Sequence, residues 1–176
     1  MRIISGKHKS RRIQVPPNLK ARPTTDFARE GLFNVLSNFI DWEETSALDL
    51  FSGTGSIALE LVSRGCPRVV SVESEHLHWR FISMTKEKLE AKELYPLKAD
   101  SFKFIETCRE QFDLIFADPP YDMKEVDTIP DLIFEKKLLK PDGLLILEHS
   151  RTHNFTMLPQ FSRELKYGSV HFSIFS

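Results

Sequence analysis

Ala117-Asp118-Pro119-Pro120-Tyr121 sets a carboxylate, two imino-acid carbonyls and an aromatic ring directly behind an apolar run, residues 112–116. That run has the length and the β-branched and aromatic content of a buried strand. It must stop at the prolines, which cannot donate to a ladder and which bias Asp118 toward extended backbone. In an open α/β sheet, ligands bind at the carboxyl ends of strands. Such a group suits transfer to an exocyclic amine on a planar base, whose lone pair is delocalised into the ring. An Asp118 oxygen and the Pro119 carbonyl would accept from the amine N–H groups and favour the tetrahedral nitrogen formed during attack. Pro120 restrains the turn, and Tyr121 would stack on the base. The competing account of the same residues is a strand-ending turn with Tyr121 as cover for the core.

A second group lies earlier in the chain. Ser52-Gly53-Thr54-Gly55 falls between a strand over 47–51 and a helix over 56–63, where glycines let backbone approach a ligand. Glu73 follows Gly53 by about 20 residues and ends the next strand, the place where an acid binds ribose hydroxyls in dinucleotide folds. The third glycine of the dinucleotide fingerprint is absent: position 58 is Ala and Ile57 is bulky. Asp49, just before the loop, would repel a phosphate and attract a cation. An adenosine ligand without phosphates and with positive charge meets both conditions, and S-adenosylmethionine is such a ligand. Asp100, ending the third strand, is then placed to meet the adenine amino group. The alternatives are a turn-capping role for Asp49 and a helix cap for Asp100.

These residues need a frame that brings them to one edge. Strands are expected over 47–51, 68–72, 95–99, 112–116 and 144–148, with helices over 56–63, 75–92, 102–109 and 128–138 between them. Residues 141–143 read as a turn, and 163–167 and 170–175 as a terminal hairpin around Gly168. Alternating β and α elements make a parallel sheet with helices on both faces. If strand order reverses between the first and fourth strands, the Gly53 loop and Asp118 share one crevice. Upstream, residues 2–15 read as a hairpin closed by Pro16-Pro17-Asn18. A helix then starts at Thr24, Thr25 or Asp26 and buries Phe27, Leu32, Val35, Leu36 and Phe39. The organisation expected is a basic hairpin extension over 1–22 and one α/β domain over 23–176.

The chain has 176 residues, enough for one domain with a real core, and 41% hydrophobic with 28% charged residues describes a globular protein. No apolar run reaches spanning length, and the first residues lack the apolar core of a signal peptide, so a cytoplasmic location is expected. Cys66 and Cys108 stand far apart in no metal-ligand spacing and read as ordinary thiols. His76, His78 and His153 form no ligand set, so no metal is expected. The net charge of −1 conceals an asymmetry. Residues 1–30 carry eight basic side chains against two acidic ones, while the rest of the chain is acidic on balance. A basic end on an acidic body suits a polyanion held at one edge, or else is a solvated hairpin with no partner. Lys7, Lys9, Arg11 and Arg12 lie in it. Arg22 and Arg29 flank a helix start, where free N–H groups favour a phosphate or a carboxylate.

Two sets of residues carry a resemblance. The run Asp49-x-Phe51-x-Gly53-x-Gly55, with Glu73 and Asp118-Pro119-Pro120-Tyr121, resembles class I methyltransferases that act on amines. Arg2-Ile3-Ile4-x-Gly6, followed by Arg22-Pro23-Thr24-Thr25-Asp26-x-x-Arg29-Glu30-x-Leu32-Phe33-Asn34, is similar to RsmD-type 16S rRNA guanine-N2 methyltransferases over nearly the whole chain. The resemblance implies a Rossmann-like α/β fold with a seven-stranded, mostly parallel sheet whose last strand is antiparallel. It implies methyl transfer from S-adenosylmethionine to a guanine amine, with 16S rRNA or the small ribosomal subunit as partner; the alternatives are another exocyclic amine, adenine N6 or a protein glutamine amide, or a non-catalytic RNA-binding module. A monomer is expected. Asp118 to Tyr121 would be catalytic, and Asp49, Phe51, Gly53, Thr54, Gly55, Glu73, Asp100 and Ser101 would hold the cofactor. The chain departs from the family at Ser5 and Ser10, where glycine is expected, and at His8, where an aromatic is expected.

Overall fold

The computed structural model describes residues 1–19 and 25–176. Five helices and seven strands organise them: α1 (Asp26–Leu36), β1 (Ser46–Leu50), α2 (Ser56–Arg64), β2 (Arg68–Glu73), α3 (His76–Leu89), β3 (Leu94–Lys98), α4 (Ser101–Thr107), β4 (Phe112–Ala117), α5 (Ile129–Glu135), β5 (Leu139–His149), β6 (Phe161–Tyr167) and β7 (Val170–Phe175). The strands form one seven-stranded sheet in the order β3-β2-β1-β4-β5-β7-β6. β1 to β5 run parallel, and β7 is antiparallel to both β5 and β6. Order reverses at β1, which pairs β2 on one side and β4 on the other, so the crevice sought from sequence exists between the ends of β1 and β4.

Alternation along each strand divides the core into two layers. Ala47, Val69 and Phe116 face a layer with Leu32, Ile57, Leu61 and Ile82 from α1, α2 and α3. Leu48, Leu50, Val72 and Ile115 face the other, with Ile105, Ile129 and Ile133 from α4 and α5. The near-continuous apolar runs of β1, β2 and β4 follow from burial on both faces.

Local detail settles one open alternative and corrects two expectations. Thr25 caps α1, its hydroxyl accepting from the Ala28 N–H at 3.2 Å. The buried face of this helix is Ala28, Arg29, Leu32, Phe33 and Leu36, whereas Phe27 and Phe39 are exposed and Val35 only half-buried. Residues 28, 32 and 36 repeat every four positions, and Phe27 and Phe39 fall outside that stripe. Phe27 meets the edge of Tyr167, and Phe39 lies under the Arg163 guanidinium. Residues 141–143 are no separate turn but an irregularity inside β5: Leu139 pairs with Phe112 and Leu144 with Leu114, so four residues oppose one.

Residues 2–15 do close as a hairpin, with Ile3 donating to the Arg11 carbonyl, Ser10 to that of Ile3 and Ile13 to that of Met1, but with one bridge, Arg2 to Arg12, in place of two regular strands. Other backbone groups of this segment bond to α2. Ile4 and Ser5 donate to the fully buried Glu60 carboxylate at 2.8 and 3.0 Å, Lys7 donates to the Ser63 carbonyl, and His8 to the Ser63 hydroxyl. Gly6 is required there, because a Cβ would stand 1.6 Å from the Ser63 carbonyl oxygen. Ser10 adopts a positive φ of 66°, a left-handed conformation in which a glycine would be relaxed.

Candidate active site

The end of β1 turns sharply. Phe51, Gly53 and Gly55 have positive φ angles of 59°, 54° and 75°, and Gly55 donates to the Ser52 carbonyl at 2.7 Å. Gly55 also begins α2 without a side-chain cap, and a Cβ there would stand 2.9 Å from Ile82. Glu73, at the end of β2, fixes this loop. One of its oxygens accepts from the Gly53 N–H at 2.7 Å and the other from the Glu75 N–H at 2.8 Å. Both bonds orient the carboxylate and leave lone pairs for a further donor. Beside it, the Ser101 hydroxyl accepts from the Phe51 N–H at 3.2 Å, and Asp100 caps α4 by accepting from Lys103 at 3.0 Å.

Asp118 stands where β4 leaves the sheet, its N–H 3.4 Å from the Leu50 carbonyl of β1. Pro119 is buried, Asp118 and Tyr121 are half-buried, and Met123 donates back to the Pro120 carbonyl at 2.9 Å to close the turn. The Tyr121 hydroxyl donates to the buried Glu148 at the end of β5, at 3.3 Å. Phe51, Gly53, Glu73, Asp100, Ser101 and all four residues of the Asp-Pro-Pro-Tyr run line one cavity of about 500 Å³. The structure therefore joins the two groups of residues first picked out separately.

Three of the residues expected to hold a cofactor stand back from that wall. Asp49 is buried beneath the loop, where its carboxylate accepts from the Ala58 N–H of α2 at 3.2 Å. Burial, opposed by that bond and by Ser52, pushes its pKa up to about 7. Gly55 acts through backbone shape. Thr54 turns the other way, toward Met1 and a groove behind the loop. Glu148, His78 and Met123 were missed by the sequence reading, although His78 and Met123 line the cavity and Glu148 anchors Tyr121. Glu148 carried a usable signal: like Glu73 and Asp118, it is an acid at the carboxyl end of a buried strand.

The basic residues separate more sharply. Arg29 is 1% exposed and donates to the Arg2 carbonyl and the Asp26 carboxylate, so it is withdrawn from any surface that could meet a phosphate. Burial lowers its pKa. Lys7 is paired with Glu93 at 2.6 Å. Lys9, Arg11 and Arg12 are exposed, and Arg22 lies outside the described residues.

The strand order, the glycine loop held by a strand-end acid, and an Asp-Pro-Pro-Tyr run across the switch point define a class I methyltransferase. Residues 1–176 match the family described as Conserved hypothetical protein 95, and the chain belongs to that family, the RsmD-type methyltransferases. It is 29% identical to the Ribosomal RNA small subunit methyltransferase D of Buchnera aphidicola subsp. Baizongia pistaciae, over 99% of this chain and 91% of that one. Its identity to the Bacillus subtilis protein YlbH is 33%, over 86% of this chain and 83% of the relative. The structure of the Escherichia coli protein yhhF superposes with a TM-score of 0.87 at 26% identity, covering 99% of this chain and 96% of that one. Among the described residues, no helix is long and apolar enough to cross a membrane.

Proposed function

We propose that this chain methylates the exocyclic N2 amine of a guanine in small-subunit rRNA, using S-adenosylmethionine as donor. The observation that carries the reading is the meeting of Glu73 and Asp118 on one cavity, from strand ends on either side of the switch point. Glu73 suits ribose hydroxyls, because it is an ordered acceptor already oriented by two backbone N–H groups. Asp100 and Phe51 on the same wall suit an adenine amine and its ring. When bound, S-adenosylmethionine supplies an electrophilic methyl group, and the chain's own work is alignment of the acceptor.

Asp118 and the Pro119 carbonyl accept from the amine N–H groups and turn the nitrogen lone pair toward the donor. As the N–C bond forms, the S–CH3 bond of the donor would break to leave S-adenosylhomocysteine, and the amine sheds one proton, which Asp118 takes or hands to water. Tyr121 holds the base by stacking, with its ring restrained through Glu148. Small-subunit rRNA as the substrate rests on the name of the Buchnera relative and on the exposed Lys9, Arg11 and Arg12. Tritiated methyl transfer onto small subunits lacking the modification, followed by nucleoside analysis, tests it. N2-methylguanosine is the expected product; N6-methyladenosine or an unlabelled rRNA would overturn the assignment.

A further inference from the structure

Where β5, β6 and β7 meet, His149, Glu164 and His171 converge outside the wall of the active-site cavity. His149 and His171 are register partners across β5 and β7, and Glu164 reaches them from β6, where it is paired with Ser173 of β7. One donor atom from each side chain lies within 4.8 Å of the other two. A Glu164 oxygen is 2.7 Å from His171 Nδ1 and 4.0 Å from His149 Nε2. Tetrahedral zinc ligands with bonds of about 2.0–2.2 Å stand about 3.3 Å apart, a value these separations bracket.

The protonation of His149 is set by its neighbour. Nδ1 is 2.8 Å from the Ser150 carbonyl, which can only accept, so Nδ1 carries the hydrogen and Nε2 presents a lone pair. A backbone carbonyl holding the far N–H is the arrangement that orients histidine ligands in metal sites. That lone pair points into the cluster, where the Ser173 hydroxyl is 2.8 Å away. Glu164, His171 and Ser173 line a small cavity of about 240 Å³, which leaves a route for an ion. The second Glu164 oxygen is paired with the largely exposed Lys166 at 3.0 Å, which leaves the first oxygen facing the two imidazoles.

We propose that His149 Nε2, Glu164 and His171 Nδ1 bind one divalent cation of the zinc class, with Ser173 Oγ or water as fourth ligand, the hydrogen that His171 Nδ1 donates to Glu164 moving to its Nε2 through solvent as the ion enters. Two imidazoles and one carboxylate suit such an ion, whereas calcium and magnesium take oxygen ligands. The ion would clamp the edge strand β6 onto β5 through β7, and no part of the methyl transfer depends on it.

The test uses untagged full-length protein stripped with a chelator, dialysed, and titrated with Zn²⁺ by calorimetry, with metal content read by mass spectrometry. One equivalent per chain and a rise in melting temperature are expected. Glu164→Gln and His171→Gln should each weaken binding by at least about tenfold, while His153→Gln binds as wild type. Two variants guard against one that fails to fold, and circular dichroism of the metal-free forms identifies it. Failure of the wild-type chain to take up zinc stoichiometrically, or unchanged affinity in a folded Glu164 or His171 variant, overturns the site and leaves a hydrogen-bonded network.

Discussion

The Tyr121 hydroxyl donates to Glu148, tying the loop after β4 to the end of β5 across 3.3 Å. This bond restrains the ring that is proposed to stack on the substrate base. Tyr121→Ala should weaken substrate binding by about 1–3 kcal/mol, the range for one stacked base. Tyr121→Phe keeps the ring and loses only the tether, so its effect should be mild, and Glu148→Gln, which retains an acceptor, should be milder still. Binding of rRNA and single-turnover transfer for the three variants would show it. Equal losses in Tyr121→Phe and Tyr121→Ala would mean that the hydroxyl, not the ring, carries the function.

Asp118 should act as charge develops on the amine nitrogen. Asp118→Ala is expected to lower single-turnover methyl transfer by roughly 10²–10³, the scale of removing one pre-organised partner of the transition state. Cofactor affinity should stay near wild type, because Glu73 and Asp100 are untouched. Transfer at the wild-type rate would sink the amine-acceptor reading.

Glu73 carries both the loop and the proposed ribose contacts. Glu73→Ala should weaken S-adenosylhomocysteine binding, measured by calorimetry, by about 1–3 kcal/mol. The substitution also strips the acceptor from the Gly53 and Glu75 N–H groups, so Glu73→Gln, which can still accept, should lose less. Unchanged affinity in Glu73→Ala would remove the cofactor from this wall.

Asp49 makes stability depend on pH in the direction opposite to most carboxylates. Its folded pKa is raised to about 7 from an ordinary value of 3.8, chiefly by burial. Between those values the folded chain holds a proton that the unfolded chain releases, so this group's contribution is fully present below the lower value and is lost as pH rises toward the upper one. Asp49→Asn keeps an acceptor for Ala58 and cannot ionise. Its stability relative to wild type should therefore rise across that window, by up to about 1.4 kcal/mol per pH unit. Urea denaturation at about pH 4 and about pH 8 tests the sign; parallel behaviour of the two proteins would show that Asp49 is not held protonated.

The basic end should contribute through phosphates and therefore through salt. Replacing Lys9, Arg11 and Arg12 with Gln should make the dependence of rRNA affinity on salt concentration shallower, with cofactor affinity unaffected. An unaltered slope would leave these residues as a solvated surface.

Much of this molecule could be read in advance because the interactions involved are local or periodic. The apolar runs of β1, β2 and β4, the glycines before α2, and the prolines that end β4 each act on their own neighbours in sequence, and acids at strand ends marked Glu73 and Asp118. Other features depend on neighbours far along the chain. Arg29 is basic and lies near a helix start, yet its burial depends on Arg2 and on the way residues 2–12 fold over α1 and α2. Glu148 becomes part of the site only because parallel pairing sets the end of β5 beside that of β4, within reach of Tyr121. Asp49 looked able to meet a ligand, but alternation along β1 turns its side chain toward the start of α2. His149, Glu164 and His171 are invisible as a set in the sequence. Only the insertion of β7 between β5 and β6 brings them together, since register across strands, unlike spacing along one, is decided by the packing of the whole sheet.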